Sequence, residues 1–260
     1  MTGVERIAAA FAATGKRAAL MPYLMGGFPD ADGARAIGEA YAAAGADLVE
    51  LGVPFSDPLA DGPVIQAAGT AALRAGATAD SVLQLGAALS QRVPVVAMAY
   101  ANLVLAQGAP AFVDQLAEAR IAGLIVPDLP LEEAPSVLEA CDARGVALVP
   151  LVAPTTPDER LERIGARARG FLYTVSVTGT TGERGQLDLD RVIARAAAHT
   201  EVPVAVGFGI GTPDQASAAA DAGADGVIVG SRLVRAAAEA SGDPGAAVAP
   251  LIEEFAQALR

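Results

Sequence analysis

One cysteine and one histidine among 260 residues remove whole classes of chemistry. Cys141 alone cannot make an internal disulfide or a cysteine-based metal cluster, and its place in the helical pattern Val137-Leu138-x-x-Cys141 reads as a small buried apolar residue. His199 alone argues against a Ser-His-Asp triad and against a zinc site; it closes a polar helix end before Val202-Pro203 and reads as a surface residue. Tryptophan is absent and aromatics are 4% of a chain that is 53% hydrophobic, so any core is built from Ala, Val, Leu and Ile. Basic residues are scarce as well, 18 against 30 acidic for a net charge of −12. That balance argues against a nucleic-acid surface, and it leaves an anionic substrate to be held by local groups such as helix N-termini. No apolar run approaches membrane-spanning length, and residues 1–6 open a helix rather than a signal peptide. A soluble, cytoplasmic protein is expected, with no metal.

What is present is a regular alternation. Continuous apolar runs of four to eight residues suit parallel strands covered on both faces, and eight are found: 20–25, 48–52, 93–99, 123–126, 147–152, 171–176, 204–207 and 226–229. Helical patterns at 34–44, 111–122, 134–144 and 215–222 end at Gly45, Gly123, Gly145 and Gly223, each fitting a left-handed helix cap. Residues 44–49 (AGADLV) recur as 222–227 (AGADGV), a repeated helix–turn–strand unit rather than a duplicated function. Eight β–α units without a linker predict a single-domain (β/α)₈ TIM barrel over residues 1–260. An extra helix at 4–13 would precede it, with Thr2 and Glu5 as a capping box and Val4, Ile7 and Phe11 on one face.

In such a barrel the chemistry belongs to the loops at the carboxyl ends of the strands. After strands seven and eight come Gly207-Phe208-Gly209-Ile210-Gly211 and Gly230-Ser231-Arg232, each opening a helix. Glycines admit an oxyanion close to the backbone and helix N-termini attract it, so this pair predicts a phosphate site. Tight turns are the plainer reading of either loop alone. Residues 177–186, glycine-rich and polar, read as a lid or an ordinary surface loop. At the end of strand two stands Glu50, where burial would raise its pKa into the range of proton transfer. Asp61 follows on a proline-rich loop that could fold over the mouth. A buried acid paired with an unseen Lys or Arg, and ordinary turn chemistry, are the respective alternatives. Asp128, Tyr100, Asn102 and Tyr173 fall near the same mouth without assigned tasks.

The stretch ELGVPFSDPLADGP at 50–63 resembles the signature of the tryptophan synthase α chain family. So do Met98-Ala99-Tyr100-Ala101-Asn102, Pro127-Asp128-Leu129-Pro130, Thr180-Thr181-Gly182, Gly207-Phe208-Gly209-Ile210 and Gly230-Ser231. The resemblance runs from about residue 4 to 259. It implies a TIM-barrel lyase that cleaves indole-3-glycerol phosphate to indole and D-glyceraldehyde 3-phosphate in tryptophan biosynthesis. By matching positions, Glu50 would be the general acid/base and Asp61 would accept the indole N–H. Tyr173, Tyr100, Asp128, Ile65 and Phe208 would line the pocket, and Gly182, Gly209, Gly230 and Ser231 would bind phosphate. The family also implies an α₂β₂ heterotetramer with a β chain that alone carries pyridoxal phosphate. Residues 53–58, with Asp57, would lie at that interface, and 178–186 would close over the site. The chain departs from the family where a Ser-Arg-x-Gly run usually precedes Val-Thr-Gly; here Ser176 is followed directly by Val177-Thr178-Gly179. Two other readings stay open: a different phosphate-binding barrel, such as a sugar-phosphate isomerase, and a non-catalytic activator of a β chain.

Overall fold

The structure, a computed structural model, describes residues 1–175, 183–207 and 209–260, without the side chains of 183–188. Among these, the strands are β1 (Ala19–Met25), β2 (Val49–Gly52), β3 (Val95–Met98), β4 (Gly123–Ile125), β5 (Ala147–Val149), β6 (Leu151–Val152), β7 (Leu172–Val175), β8 (Val204–Gly207) and β9 (Gly226–Val229). The helices are α1 (Gly3–Ala13), α2 (Ala31–Ala44), α3 (Pro63–Arg74), α4 (Ala79–Leu89), α5 (Ala101–Leu105), α6 (Ala109–Glu118), α7 (Pro135–Arg144), α8 (Asp158–Gly165), α9 (Glu183–Ala197), α10 (Pro213–Asp221), α11 (Ser231–Glu239) and α12 (Pro244–Ala258).

Every strand pairing is parallel, in the order β5-β4-β3-β2-β1-β9-β8-β7-β6. The two ends of that order are neighbours in the chain. The fifth predicted strand, 147–152, is broken at Pro150, which has no N–H to give to a ladder. Its first half pairs with β4 and its second with β7, while the Pro150 carbonyl accepts from Tyr173 N at 3.0 Å. One bent segment thus closes the barrel, so nine strands come from the eight expected segments.

Two apolar layers result. Ile7, Met21, Leu48, Val96, Ile125, Val149, Phe171, Tyr173 and Ile228 fill the interior, while a larger cluster lies between the sheet and the helices and extends to Tyr23 and Met25 at the carboxyl end of β1. α1 forms with the predicted Thr2–Glu5 capping box. It seals the barrel's amino end: Ile7 is completely buried in the interior cluster, with Val4 and Phe11 packed on it. The Arg6 guanidinium donates to the carbonyls of Ser90 (2.7 Å) and Arg120, in the turns that feed β3 and β4.

Gly45, Gly145 and Gly223 have the positive φ expected at helix ends, but Gly123 does not. α6 stops at Glu118, Arg120 makes the left-handed turn at φ 57, and Gly123 begins β4. There a Cβ would stand 3.1 Å from the Ala147 carbonyl oxygen and 3.2 Å from Ile7 Cδ1, so the glycine serves close packing. The AGAD repeat is a strand-positioning device. The Asp47 carboxylate accepts from Leu20 N at 2.7 Å, and Asp225 accepts from Val204 N at 2.8 Å, each on the neighbouring strand. Cys141 is fully buried, with its thiol pushed up to about 12 by burial. His199 is half-buried, just past the end of α9.

Candidate active site

Glu50 sits on β2 between Tyr23 of β1 and Val96 of β3. Leu48, two residues earlier, faces the barrel interior, and the two-residue strand period turns Glu50 the same way. Its side chain is 2% exposed, and Oε2 has no hydrogen-bond partner among the described residues. Among the described residues no Lys or Arg pairs with it, which removes the reading of a structural ion pair. Burial first, and then the field of Asp61, raise its pKa to about 8. At neutral pH this carboxyl carries a proton and can give it away.

Asp61 is brought to the same mouth by the loop between β2 and α3. Gln66, in the first turns of α3, donates to the Asp61 carbonyl at 2.9 Å, and Asp61 N donates to the Pro58 carbonyl at 3.2 Å. Tyr100, at the end of β3, fastens the loop. Its hydroxyl accepts from Ala60 N at 3.0 Å and donates to the Asp61 carboxylate, while Phe55 stacks on its ring at 5.4 Å between centroids. Burial raises the Asp61 pKa, and the Tyr100 hydrogen bond opposes that rise. The two acids therefore differ by environment. Glu50 is buried with Oε2 unpartnered among the described residues, whereas Asp61 is half-buried and held as an acceptor.

The other expected residues distribute as follows. Tyr173 of β7 is buried in the interior, and its ring fills the space a side chain at Gly207 would need. Its phenol pKa is raised by burial first and then by Glu50. Asp128 ends the segment after β4 and accepts from Ala101 N at 2.8 Å, at the start of α5. Ile65 is buried in the first turn of α3, in the same apolar cluster as Tyr23 and Met25. β8 and β9 are adjacent, so the turns that follow them are neighbours. Gly209 turns with φ 84, and α11 begins at Ser231 directly after Gly230, with no acidic side chain in its first turn. Arg232 is half-buried one residue on. Phe208, Gly182 and the lid as far as residue 182 lie outside the described residues; Glu183 already begins α9, so the last part of the expected lid is helix.

Tyr23 and Phe55 escaped the sequence reading. Tyr23 was hidden in an apolar run, although counting by twos along β1 beside Glu50 would have found it. Phe55 lies in the signature itself, but its stacking on Tyr100 needs the fold. A cavity of about 500 Å³ lies beside α7 and α8, lined by the segments that follow β4 and β5, with Asp128 and Pro150 among its walls. No group of three or more His, Cys, Asp or Glu among the described residues is arranged to hold a metal ion. Nor is any described helix long and apolar enough to cross a membrane.

Known proteins resemble this chain along nearly its whole length. The family described as tryptophan synthase alpha chain matches residues 10–259. A curated tryptophan synthase alpha chain of Synechococcus sp. strain CC9902 is 50% identical over 229 residues, 86% of this chain and 85% of the relative. That of Synechococcus elongatus is 46% identical over 263 residues, 100% of this chain and 97% of its own length. Among solved structures, a chain of tryptophan synthase from M. tuberculosis superposes with a TM-score of 0.90 at 37% identity, covering 98% of both chains. The alpha subunit from Legionella pneumophila gives 0.90 at 35% identity, covering 100% of this chain and 98% of that one.

Proposed function

The chain belongs to the tryptophan synthase alpha chain family, and from that premise we propose that Glu50 and Asp61 divide the chemistry of its reaction between them. The protein is a carbon–carbon lyase, the subunit that cleaves indole-3-glycerol phosphate to indole and D-glyceraldehyde 3-phosphate in tryptophan biosynthesis. The single observation behind the assignment of roles is that Glu50 is buried, with Oε2 unpartnered among the described residues and its pKa raised to about 8.

In this reading neutral Glu50 delivers its proton to the ring carbon that carries the glycerol chain. The ring becomes a cation spread onto its nitrogen, and Asp61, fixed as an anion by Tyr100, accepts the N–H and steadies that charge. The Glu50 carboxylate then takes the proton of the adjacent side-chain hydroxyl. As that C–O becomes a carbonyl, the electrons of the breaking carbon–carbon bond return to the ring. Indole and triose phosphate leave, and Glu50 is neutral again. Tyr173 and Tyr100 wall the pocket, with Asp128 fixing the segment behind Tyr100 and Ile65 and Phe208 completing it. Gly182, Gly209, Gly230 and Ser231 bind the phosphate through backbone N–H groups and the α11 dipole.

Family membership carries with it a β-chain partner. We read the assembly as an α₂β₂ tetramer in the cytoplasm. This chain forms one domain without a cofactor, and pyridoxal phosphate is confined to the β chain. Asp57 is exposed and Leu59 is 87% exposed, both on the loop that carries Asp61; that loop is our choice for the surface meeting the partner, with 178–186 as the lid. The test is to incubate the purified chain with indole-3-glycerol phosphate, with and without a β chain, and to measure indole and triose phosphate. Equal amounts of both products are expected; no turnover in either arm sinks the assignment.

A further inference from the structure

β1 lies between β2 and β9. A substrate reaching from Glu50 on β2 to the Gly230–Ser231 turn after β9 must therefore cross the end of β1. The residue there is Tyr23. Ala19 and Met21 face the barrel interior, the two-residue period puts Tyr23 on the same face, and it is the register partner of Glu50. Its side chain bridges the two neighbouring strands. On one side, a Cβ at Gly230 would stand 3.6 Å from Tyr23 Cβ; on the other, a Cβ at Gly52 would collide with the phenol oxygen. Glycine at position 52 is what lets the hydroxyl lie over the end of β2, on the side of the two acids.

The bonding of that hydroxyl is incomplete. Tyr23 is 6% exposed, and its hydroxyl's one partner among the described residues is Met25 Sδ at 3.9 Å, a weak acceptor at long range. Buried phenols normally find a full partner. Burial, and then the fields of Asp61 and Glu50, hold its proton well above the usual phenol range, so it remains a donor. A buried donor and the unpartnered Glu50 Oε2 thus belong to adjacent strands of one mouth.

We propose that Tyr23 is a specificity-determining residue whose phenol donates to a hydroxyl oxygen of the substrate's glycerol chain, leaving that hydroxyl's proton directed at Glu50. The proposal rests on the lyase reading above and deepens it: the ring is handled by Asp61, the phosphate by the β8 and β9 turns, and the chain between them by Tyr23. An indole phosphate without hydroxyls on its chain gains nothing from this bond.

That difference supplies the experiment. Tyr23→Phe keeps the ring and removes only the donor. Cleavage of indole-3-glycerol phosphate and binding of indole-3-propanol phosphate, which lacks the glycerol hydroxyls, are measured for both proteins with the β chain present. Loss of one neutral hydrogen bond should lower kcat/KM about three- to tenfold, while affinity for the propanol analogue changes less than about twofold, the scale of a lost contact worth a few tenths of a kcal/mol. Equal losses for both ligands would reduce Tyr23 to a wall of the pocket, and an unchanged kcat/KM would remove it from recognition altogether. Failure of the lyase reading is distinguishable, because wild-type protein would then neither turn over the substrate nor be inhibited by the analogue.

Discussion

With its pKa raised to about 8, Glu50 keeps its proton at neutral pH, whereas the same carboxyl in an unfolded chain, near its ordinary 4.5, loses it. The folded state therefore binds more protons than the unfolded state between those two values, and stability falls as pH rises through that window. Below about 4.5 the group costs nothing, and above about 8 the cost is complete. Glu50→Gln keeps the shape and removes the titration. The variant should lose cleavage by at least about a thousandfold yet unfold at higher denaturant than wild type at pH 7, by on the order of 2–3 kcal/mol. That gain should vanish near pH 4.5. Urea unfolding at the two pH values, beside an indole assay, checks both halves; an active or equally stable variant at pH 7 contradicts the dry-acid account. Glu50 was legible in the sequence because a lone acid inside an apolar strand breaks the pattern. Tyr23 was not, since a phenol in such a run looks like core and only the register with β2 reveals what its hydroxyl faces.

Elements were legible where local pattern and tertiary packing agree, as in α1 with its capping box. They shifted where packing overrides pattern. Pro150 splits a continuous apolar run because that segment must change neighbours to close the ring. Arg120 takes a turn that Gly123 was expected to make, because Gly123 is needed inside the barrel. The loop from β2 to α3 was readable as stiff, but the fastening of its tip to Tyr100 joins residues forty positions apart. Tyr100→Phe frees that tip and removes the hydrogen bond that holds the Asp61 pKa down. Cleavage should fall roughly tenfold, and the acidic limb of the kcat/KM profile should move to higher pH, as Asp61 then needs a higher pH to ionise. The pH profile separates this from a general loosening of the loop, which would lower activity without moving the limb; an unmoved limb would leave Tyr100 a purely structural contact.

On the scale of the molecule, the two ends of the barrel have different duties. Glu50, Asp61 and the turns after β8 and β9 belong to the carboxyl end, while α1 closes the amino end with Ile7 fully buried among interior residues. Conserving activity at one end does not depend on the detailed packing at the other, provided the barrel stays closed. Count and spacing of strands were enough to foresee this division, but the sequence could not say that α1 is a plug rather than a surface helix. That fact depends on glycines at 123 and 170, where added Cβ atoms would lie 3.2 and 3.1 Å from Ile7 Cδ1. Ile7→Ala leaves a hole that such a tight floor cannot collapse to fill. It should cost about 2–5 kcal/mol of stability and lower the thermal midpoint by roughly 5–15 °C at 2–4 °C per kcal/mol. Because the cavity opens at the end away from the acids, KM and the pH dependence of cleavage should stay as in wild type well below the new midpoint. Thermal unfolding together with steady-state kinetics at 20 °C, about room temperature, decides it. A changed KM in a fully folded Ile7→Ala protein would mean that the floor of the barrel is coupled to its mouth through the interior stack.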